Sequence, residues 1–381
     1  MFPNAIDTKR VEKPALLYSR GILLDIFPYF THNIKDKFAY PIDISLILYY
    51  NLRENNGGKE MRSFNYSAFK EQKWDSDILG LIAAIYKEAG KQEQYLKQRP
   101  QEMEKLVEIA KIQSTEASNA IEGIVTTSTR IKQLVEEKTT PRNRDEQEIA
   151  GYRDVLNVIH ESFDAIPITQ NYILQLHKML YSHMNNPLAS YETSEALDRI
   201  CEEYNRVIGN LEVEPLIIIP IFIHDFLCIH PFNDGNGRMS RLLTTLLLYQ
   251  NGFYIGKYIS LEAKISKNKD LYYSALSQSQ MGWHEGKEDA LPFIKYILGT
   301  ILASYKDFEE RTSLVQEKLP ALEMVRMASK SKIGRFNKQN IRELCPTLSD
   351  SSIEGALRKL VAAGELKKEG KGKSTCYFRL N

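Results

Sequence analysis

Two stretches of the chain, Leu216–Ile229 and Met239–Tyr249, are apolar nearly all round. A helix without a polar face is buried on every side and forms the centre of a domain. Around these two, apolar residues recur at helical spacing over Ser76–Gln92, Pro100–Gln113, Arg144–Phe163, Gln170–Tyr181, Glu192–Gly209, Asp270–Gln280 and Leu291–Lys306. In Glu192–Gly209 the apolar stripe runs through Leu197, Ile200, Cys201, Tyr204 and Ile208. Gly252 follows the second central stretch as a helix stop. The pattern predicts a mainly α fold, with an all-helical core over residues 141–308 built around two buried central helices. A helical region over 61–140 precedes it. Residues 1–60 are less regular: Asp43–Leu52 reads as a short buried helix or strand, and ENNGGKEM then breaks the pattern as a turn or linker.

The pattern changes near Glu309–Leu319. Helices are expected over Pro320–Ser329, Asn337–Leu344 and Ser351–Ala363, followed by GELKKEGKGKSTCYFRL as a short hairpin. Cys376, Phe378 and Leu380 alternate in its return strand. Three helices and a hairpin over 309–381 are the plan of a small winged helix-turn-helix (α+β) domain. Ser351–Ala363 would be its recognition helix, and Lys367, Lys368, Lys371 and Lys373 a wing able to contact DNA phosphates. The helix itself carries few basic residues, Arg358 and Lys359 near its end. A protein-interaction or homodimer module is therefore the rival reading.

Composition narrows the classes. A chain of 381 residues is long for one core, and 43% hydrophobic with 26% charged residues is an ordinary globular profile. A net charge of +1 gives no overall pull toward nucleic acid or membrane. Four widely spaced cysteines without a CxxC pair read as free thiols in a reducing, cytoplasmic compartment. The N-terminal stretch lacks a long apolar run, and the longest apolar runs are interrupted before they could span a bilayer, so no membrane association is expected.

One stretch does not fit a packed core. HPFNDGNGRMSR, His230–Arg241, sets a histidine, an aspartate, asparagines, two glycines and two arginines in the seam between the two apolar helices. Gly235 and Gly237 let backbone N–H groups converge into an anion nest, with Asn236 between them. Arg238 and Arg241 stand three apart at a helix start, on one face, where the helix dipole also favours an anion. Asp234 is a hard oxygen ligand suited to Mg²⁺ shared with phosphates. His230 can take a proton near neutral pH. The combination points to a polyphosphate site rather than a solvated corner.

The string His-Pro-Phe-x-Asp-Gly-Asn-Gly-Arg-x-x-Arg resembles the signature of Fic-domain proteins at every defining position, and the resemblance runs from about Met61 to about Tyr305. It includes EQEIAGYRDVL before the core and KNKDLYYSAL after it. The resemblance implies transfer of AMP from ATP to a Ser, Thr or Tyr hydroxyl of a target protein, this chain itself included. His230 would be the general base, Asp234 would hold Mg²⁺, and Gly235, Asn236, Gly237, Arg238 and Arg241 would bind phosphates. Glycine at 237 favours AMP transfer over the Doc-like branch, which has lysine there. Tyr272, and less so Tyr273, fall where the family places aromatics near the adenine, although tyrosines on an apolar helix are as often plain core.

A second string, Ser118-Asn-Ala-Ile-Glu122-Gly123, resembles the Fic inhibitory helix. Ser118 and Glu122 share a helix face, and Gly123 suits a helix end that must pack closely. The Glu122 carboxylate would pair with Arg241 and take the place of the γ-phosphate. Two other readings stand beside an autoinhibited adenylyltransferase. One is a DNA-binding regulator with an ATP-sensing Fic core. The other is a bifunctional enzyme that also removes AMP, with Glu122 positioning a water. The family usually carries a β-hairpin flap between the helices near Tyr181 and Glu192, for which SHMNNPLASY is too short.

Overall fold

The computed structural model describes residues 62–98, 100–184, 195–316 and most of 320–379. The expectations for residues 1–60, Lys371, Lys373 and Leu380, and for most of the SHMNNPLASY segment, lie outside the described residues. All described residues belong to one compact unit, Glu60–Asn381.

The helices are α1 (Ser76–Gln98), α2 (Pro100–Ile121), α3 (Ser128–Val135), α4 (Arg144–Ser162), α5 (Gln170–Leu180), α6 (Glu195–Gly209), α7 (Pro215–Ile229), α8 (Asn236–Gln250), α9 (Leu261–Lys267), α10 (Lys269–Gln280) and α11 (Leu291–Gln316). The described residues of this region are thus helical, without a strand. α7 and α8 are the expected central pair, packed on each other, with every residue of α7 from Leu216 to Ile229 buried. Each fully buried Leu, Ile or Phe stabilises the fold by roughly 1.5–3 kcal/mol, so this pair anchors the domain. α4 lies against α2, α5 and α8, and α1 packs along α11.

Two short helices escaped the periodicity. In α3 the residues Ile131, Leu134 and Val135 form a small cluster with Ile149 of α4, flanked by Ile112 and Ile124. Thr127 caps α3 by accepting the Arg130 N–H. Arg130 forks onto Glu146 with two 2.9 Å bonds, so α3 straps α2 to α4. α9 is capped by Ser260, which accepts from the Ala263 N–H. On α6 the buried stripe is Leu197, Ile200, Cys201, Tyr204 and Val207, with Ile208 only partly covered.

Past α11 come α12 (Ala321–Lys330), α13 (Lys338–Leu344), α14 (Asp350–Ala362) and the antiparallel strands β1 (Leu366–Glu369) and β2 (Cys376–Arg379). They share a separate apolar cluster that includes Val325, Phe336, Ile341, Ile353, Leu357 and Leu360. Leu366 pairs with Arg379 and Glu369 with Cys376. The inward residue of β2 is Tyr377, not Cys376 and Phe378 as the alternation suggested. Tyr377 exchanges two backbone hydrogen bonds with Phe336, at 2.9 and 2.7 Å, and stacks on its ring, which fixes the register. The exposed side of α14 begins with Asp350 and Glu354, already paired with Arg342 and Lys338.

Candidate active site

α7 ends because Pro231 cannot continue it. His230 is its C-cap, with φ 51° and ψ 57°, a left-handed conformation that costs a non-glycine residue roughly 1–2 kcal/mol and persists only where the surroundings over-determine it. Those surroundings are visible. Phe232 is buried and stacks on His177 of α5 at 3.7 Å and 14°. Asn236 clamps the same residue, accepting the Phe232 N–H at 3.1 Å and donating to its carbonyl at 2.6 Å. The Asn236 side chain therefore closes the loop on itself. Gly235 has φ +86°, and a Cβ there would lie 2.9 Å from the Tyr181 hydroxyl, so glycine is required twice over. Its N–H donates to Asp234 Oδ1 at 2.7 Å. No side chain caps the first turn of α8, which leaves its N–H groups and dipole for an anion.

Beneath the loop lies a charged floor. Arg238 is 1% exposed. Its Nη1 is 2.7 Å from Glu148 Oε2, and its Nη2 donates to the Tyr181 hydroxyl at 2.8 Å. Glu148, on α4, also accepts from Arg144 Nε at 2.9 Å. Asp234 Oδ1 is 3.7 Å from Arg238 Nη2, on a side chain 47% exposed. His177 Nε2 lies 2.9 Å from the Asp234 carbonyl, and since a carbonyl only accepts, Nε2 carries the proton. Burial holds the His177 pKa down to about 4, so the ring is neutral at physiological pH. α4 and α5 come this close because of Gly151: a Cβ there would overlap the Leu180 carbonyl.

Above the loop lies the end of α2. Arg241 Nε donates to Ser118 Oγ at 2.8 Å, and Nη2 to the Ser118 carbonyl at 3.0 Å and to Glu122 Oε1 at 2.7 Å. Burial opposes the Arg241 charge, and Glu122 together with Tyr272 and Tyr152 more than offsets it, leaving the pKa raised. Gly123 has φ +82°. The Ile124 N–H bonds the Asn119 carbonyl at 3.0 Å and the Gly123 N–H bonds the Ala120 carbonyl at 3.1 Å. This is a Schellman end. Nothing lies within 4 Å of a Cβ built at Gly123, so glycine is there for its backbone conformation and not for close packing. Gly237 is the residue of close approach: a Cβ on it would overlap the Glu122 carboxylate and lie 3.3 Å from Arg241 Nη1.

The structure thus brings His230, Asp234, Gly235, Asn236, Gly237, Arg238 and Arg241 together with Ser118, Glu122 and Gly123. Within this group Arg238 is engaged by the floor and Arg241 by the roof. Tyr272 is close by but buried, its ring edged by Tyr273 at 5.2 Å and Tyr296 at 5.7 Å and tilted against Phe293 at 6.0 Å, an arrangement of core packing. Sequence reasoning missed Glu148, His177 and Tyr181. The first had a signal: Glu148 sits in a helix whose neighbours Ile149, Ala150, Gly151 and Tyr152 are all buried, and a buried glutamate requires a cation.

Residues 167–248 match the Fic/DOC family model. Among curated proteins the chain is 29% identical over 109 residues to a Fido domain-containing protein of Dictyostelium discoideum, covering 29% of this chain and 71% of that one. It is 26% identical over 219 residues to Protein adenylyltransferase Fic of Nematostella vectensis, covering 51% of this chain and 48% of the relative. The chain therefore spans about half the length of that relative. Of solved structures, a Fic family protein from Desulfovibrio desulfuricans G20 superimposes with a TM-score of 0.52 at 20% identity, over 81% of this chain and 98% of that one. Fic-1 (residues 134–508) from C. elegans gives 0.50 at 19% identity, over 60% and 69%. At these identities the two structures speak for the fold.

Proposed function

For a chain that carries a Fic/DOC-family domain over residues 167–248, we propose that the His230–Arg241 loop transfers AMP from ATP to a hydroxyl of a protein and that Glu122 holds it in check. The observation that carries this reading is the grip on Arg241. One guanidinium at the opening of α8 is held by Ser118 and Glu122, more than a hundred residues away in sequence, beside a helix start that no side chain caps. Carboxylate and phosphate pair with a guanidinium in the same way, so a carboxylate on that arginine would compete with a terminal phosphate.

ATP would lie with its phosphates along the α8 N-terminus, where backbone N–H groups and the helix dipole receive them. With Glu122 in place, the γ-phosphate meets a negative charge and the α-phosphorus is held out of line for attack. With Glu122 displaced, Arg241 would pair with the γ-phosphate. The target hydroxyl would then attack the α-phosphorus, its proton passing to His230 as the O–P bond forms. The bond from the α-phosphorus to the bridging oxygen breaks, and pyrophosphate leaves. The strained, doubly clamped loop would keep His230 at a fixed position for this transfer.

Mg²⁺ fits the residues present. No group of three or more His, Cys, Asp or Glu among the described residues is placed to hold a metal alone. Asp234, half exposed at the loop, offers one carboxylate to a cation otherwise held by phosphate oxygens and water, as Mg²⁺ prefers. When bound, the ion supplies neutralisation of phosphate charge. His230 remains responsible for the proton and Arg241 for the terminal phosphate.

ATP labelled at the α-phosphate tests the proposal. Label should pass to protein, vanish in His230→Ala and increase in Glu122→Gly. Transfer of the γ-phosphate instead, or none from the Glu122→Gly chain, would overturn it.

A further inference from the structure

Among the described residues, one charged group is explained by neither the fold nor the candidate site. Arg311, on α11, is 5% exposed. Its Nε and Nη1 are buried without a hydrogen-bond partner among the described residues. A buried guanidinium without a partner costs several kcal/mol, and such a group in a native fold calls for an ion or ligand to account for it. Arg311 lines a cavity of about 310 Å³, room for a small organic molecule rather than a single water.

The walls come from four elements: α2 (Glu116, Ala120), α9 (Lys264), α11 (Arg311) and α13 (Gln339, Glu343). The cavity holds both signs of charge, and the pairing within it matters. Lys264 is 2.5 Å from Asp307, and Lys267 is 2.6 Å from Glu343. Glu116 accepts from the Ser128 hydroxyl at 3.4 Å. The two lysines are each matched by a carboxylate, whereas Arg311 has no salt bridge among the described residues. Asp307, Glu310 and Glu343 act on it only through space, and burial lowers its pKa. Glu116 is only partly buried and open to water, so the buried charge left without a partner at this site is the positive one of Arg311.

We propose that this cavity is an anion site, in which the Arg311 fork takes the phosphate or carboxylate group of a small metabolite. Both groups present paired oxygens to a guanidinium. The location gives such a ligand a consequence. Gln113, Glu116, Ala117 and Ala120 line the cavity at helical spacing on one face of α2; the same helix carries Ser118, and Glu122 follows directly after its last residue. A ligand seated on Arg311 would touch both α2 and α13 of the C-terminal cluster, joining that cluster to the helix that grips Arg241. This last step rests on the reading of Glu122 as a restraint; the binding itself does not.

Thermal unfolding of the full chain tests the site, with inorganic phosphate, glycerol 3-phosphate and succinate as probes at millimolar concentration. At least one should raise Tm by roughly 2–4 °C, and the arms separate phosphate from carboxylate recognition. The rise should persist in Arg241→Gln, which excludes the Arg241 guanidinium as its source, and disappear in Arg311→Met, which leaves the α8 N-terminus intact. Without ligand, Arg311→Met should be as stable as the unaltered chain or more so, because it removes a buried charge that lacks a partner. Arg311→Lys keeps the charge without the fork and should bind about tenfold more weakly. A response to the probes that survives Arg311→Met, or no response to any of the three, overturns the inference. Tm reports binding without any group transfer, so a chain that fails to transfer AMP leaves this test intact. A chain that transfers AMP without an Arg311-dependent response refutes the anion site alone.

Discussion

The floor and the roof of the His230–Arg241 loop both consist of a carboxylate on an arginine of α8, and they differ in how that contact is held. On the floor Arg238 and Glu148 are 1% and 5% exposed, and Tyr181 and Arg144 complete the set. On the roof Arg241 is equally covered, but Glu122 is 31% exposed and stands past the last turn of α2. Three residues further on, Val125 is 60% exposed. Breaking a buried pair leaves a charge with no water to receive it and costs about 3–5 kcal/mol, whereas a half-solvated partner can leave at a cost nearer 1 kcal/mol. The floor is thus closed off from solvent, whereas the roof has one solvent-facing partner, which under the proposed function a competing anion would replace.

The sharpest way to break the floor is Gly151→Val. Its side chain would enter the Leu180 carbonyl, and the expected loss exceeds about 4 kcal/mol, read as a chain unfolded or with a far lower urea midpoint. Next is Glu148→Ala, which strands Arg238 and should cost about 3–5 kcal/mol by urea unfolding. A loss under 1 kcal/mol would show that the floor is no firmer than the roof.

Acid tests the floor without mutation. Burial lowers the pKa values of His160 to about 3 and of His177 and His224 to about 4. Between those values and the ordinary 6.5, the unfolded chain binds more protons than the folded one, so stability rises with pH across that window and is lost on acidification. Asp225 opposes them: burial pushes it up to about 6, and between the ordinary carboxylate value and 6 the folded state holds the extra proton. Three groups against one give a net fall in Tm from pH 6.5 to 4. His177→Gln should flatten that fall by on the order of 2–3 kcal/mol; an unchanged slope would remove His177 from the account.

The smallest effect on stability belongs to the roof. Gly237→Ala places a methyl where the Glu122 carboxylate sits, at the movable end of a side chain. Stability should change by less than about 1 kcal/mol, while transfer of the ATP α-phosphate label should increase. A loss matching that of Glu148→Ala would erase the difference between the two contacts.

The central helices and the loop were legible because their information is local: two runs apolar on all sides, and between them a polar string whose spacing alone places the arginines on one face. Ser118 and Glu122 were legible only through the resemblance to the Fic inhibitory helix, since their spacing alone also fits an ordinary amphipathic helix. The floor was not, because Glu148, His177 and Tyr181 belong to elements that meet the loop only in three dimensions. α3 and α9 are too short for periodicity to declare them and are held by caps and by neighbours. Gly123 was found for the wrong physical reason, and Tyr377 took the inward place expected of Cys376 and Phe378 because pairing with Phe336, outside the hairpin, sets the register.

The Schellman end of α2 places the Glu122 carboxylate at the negative pole of its own helix. Lys269, donating to the Ile121 carbonyl, offsets part of that field, but an acidic side chain at a helix C-terminus is still repelled by the element that bears it. Arg241 is what makes the position tolerable. Once another anion claims that arginine, the helix itself favours the departure of Glu122, so release is helped from behind as well as drawn from in front.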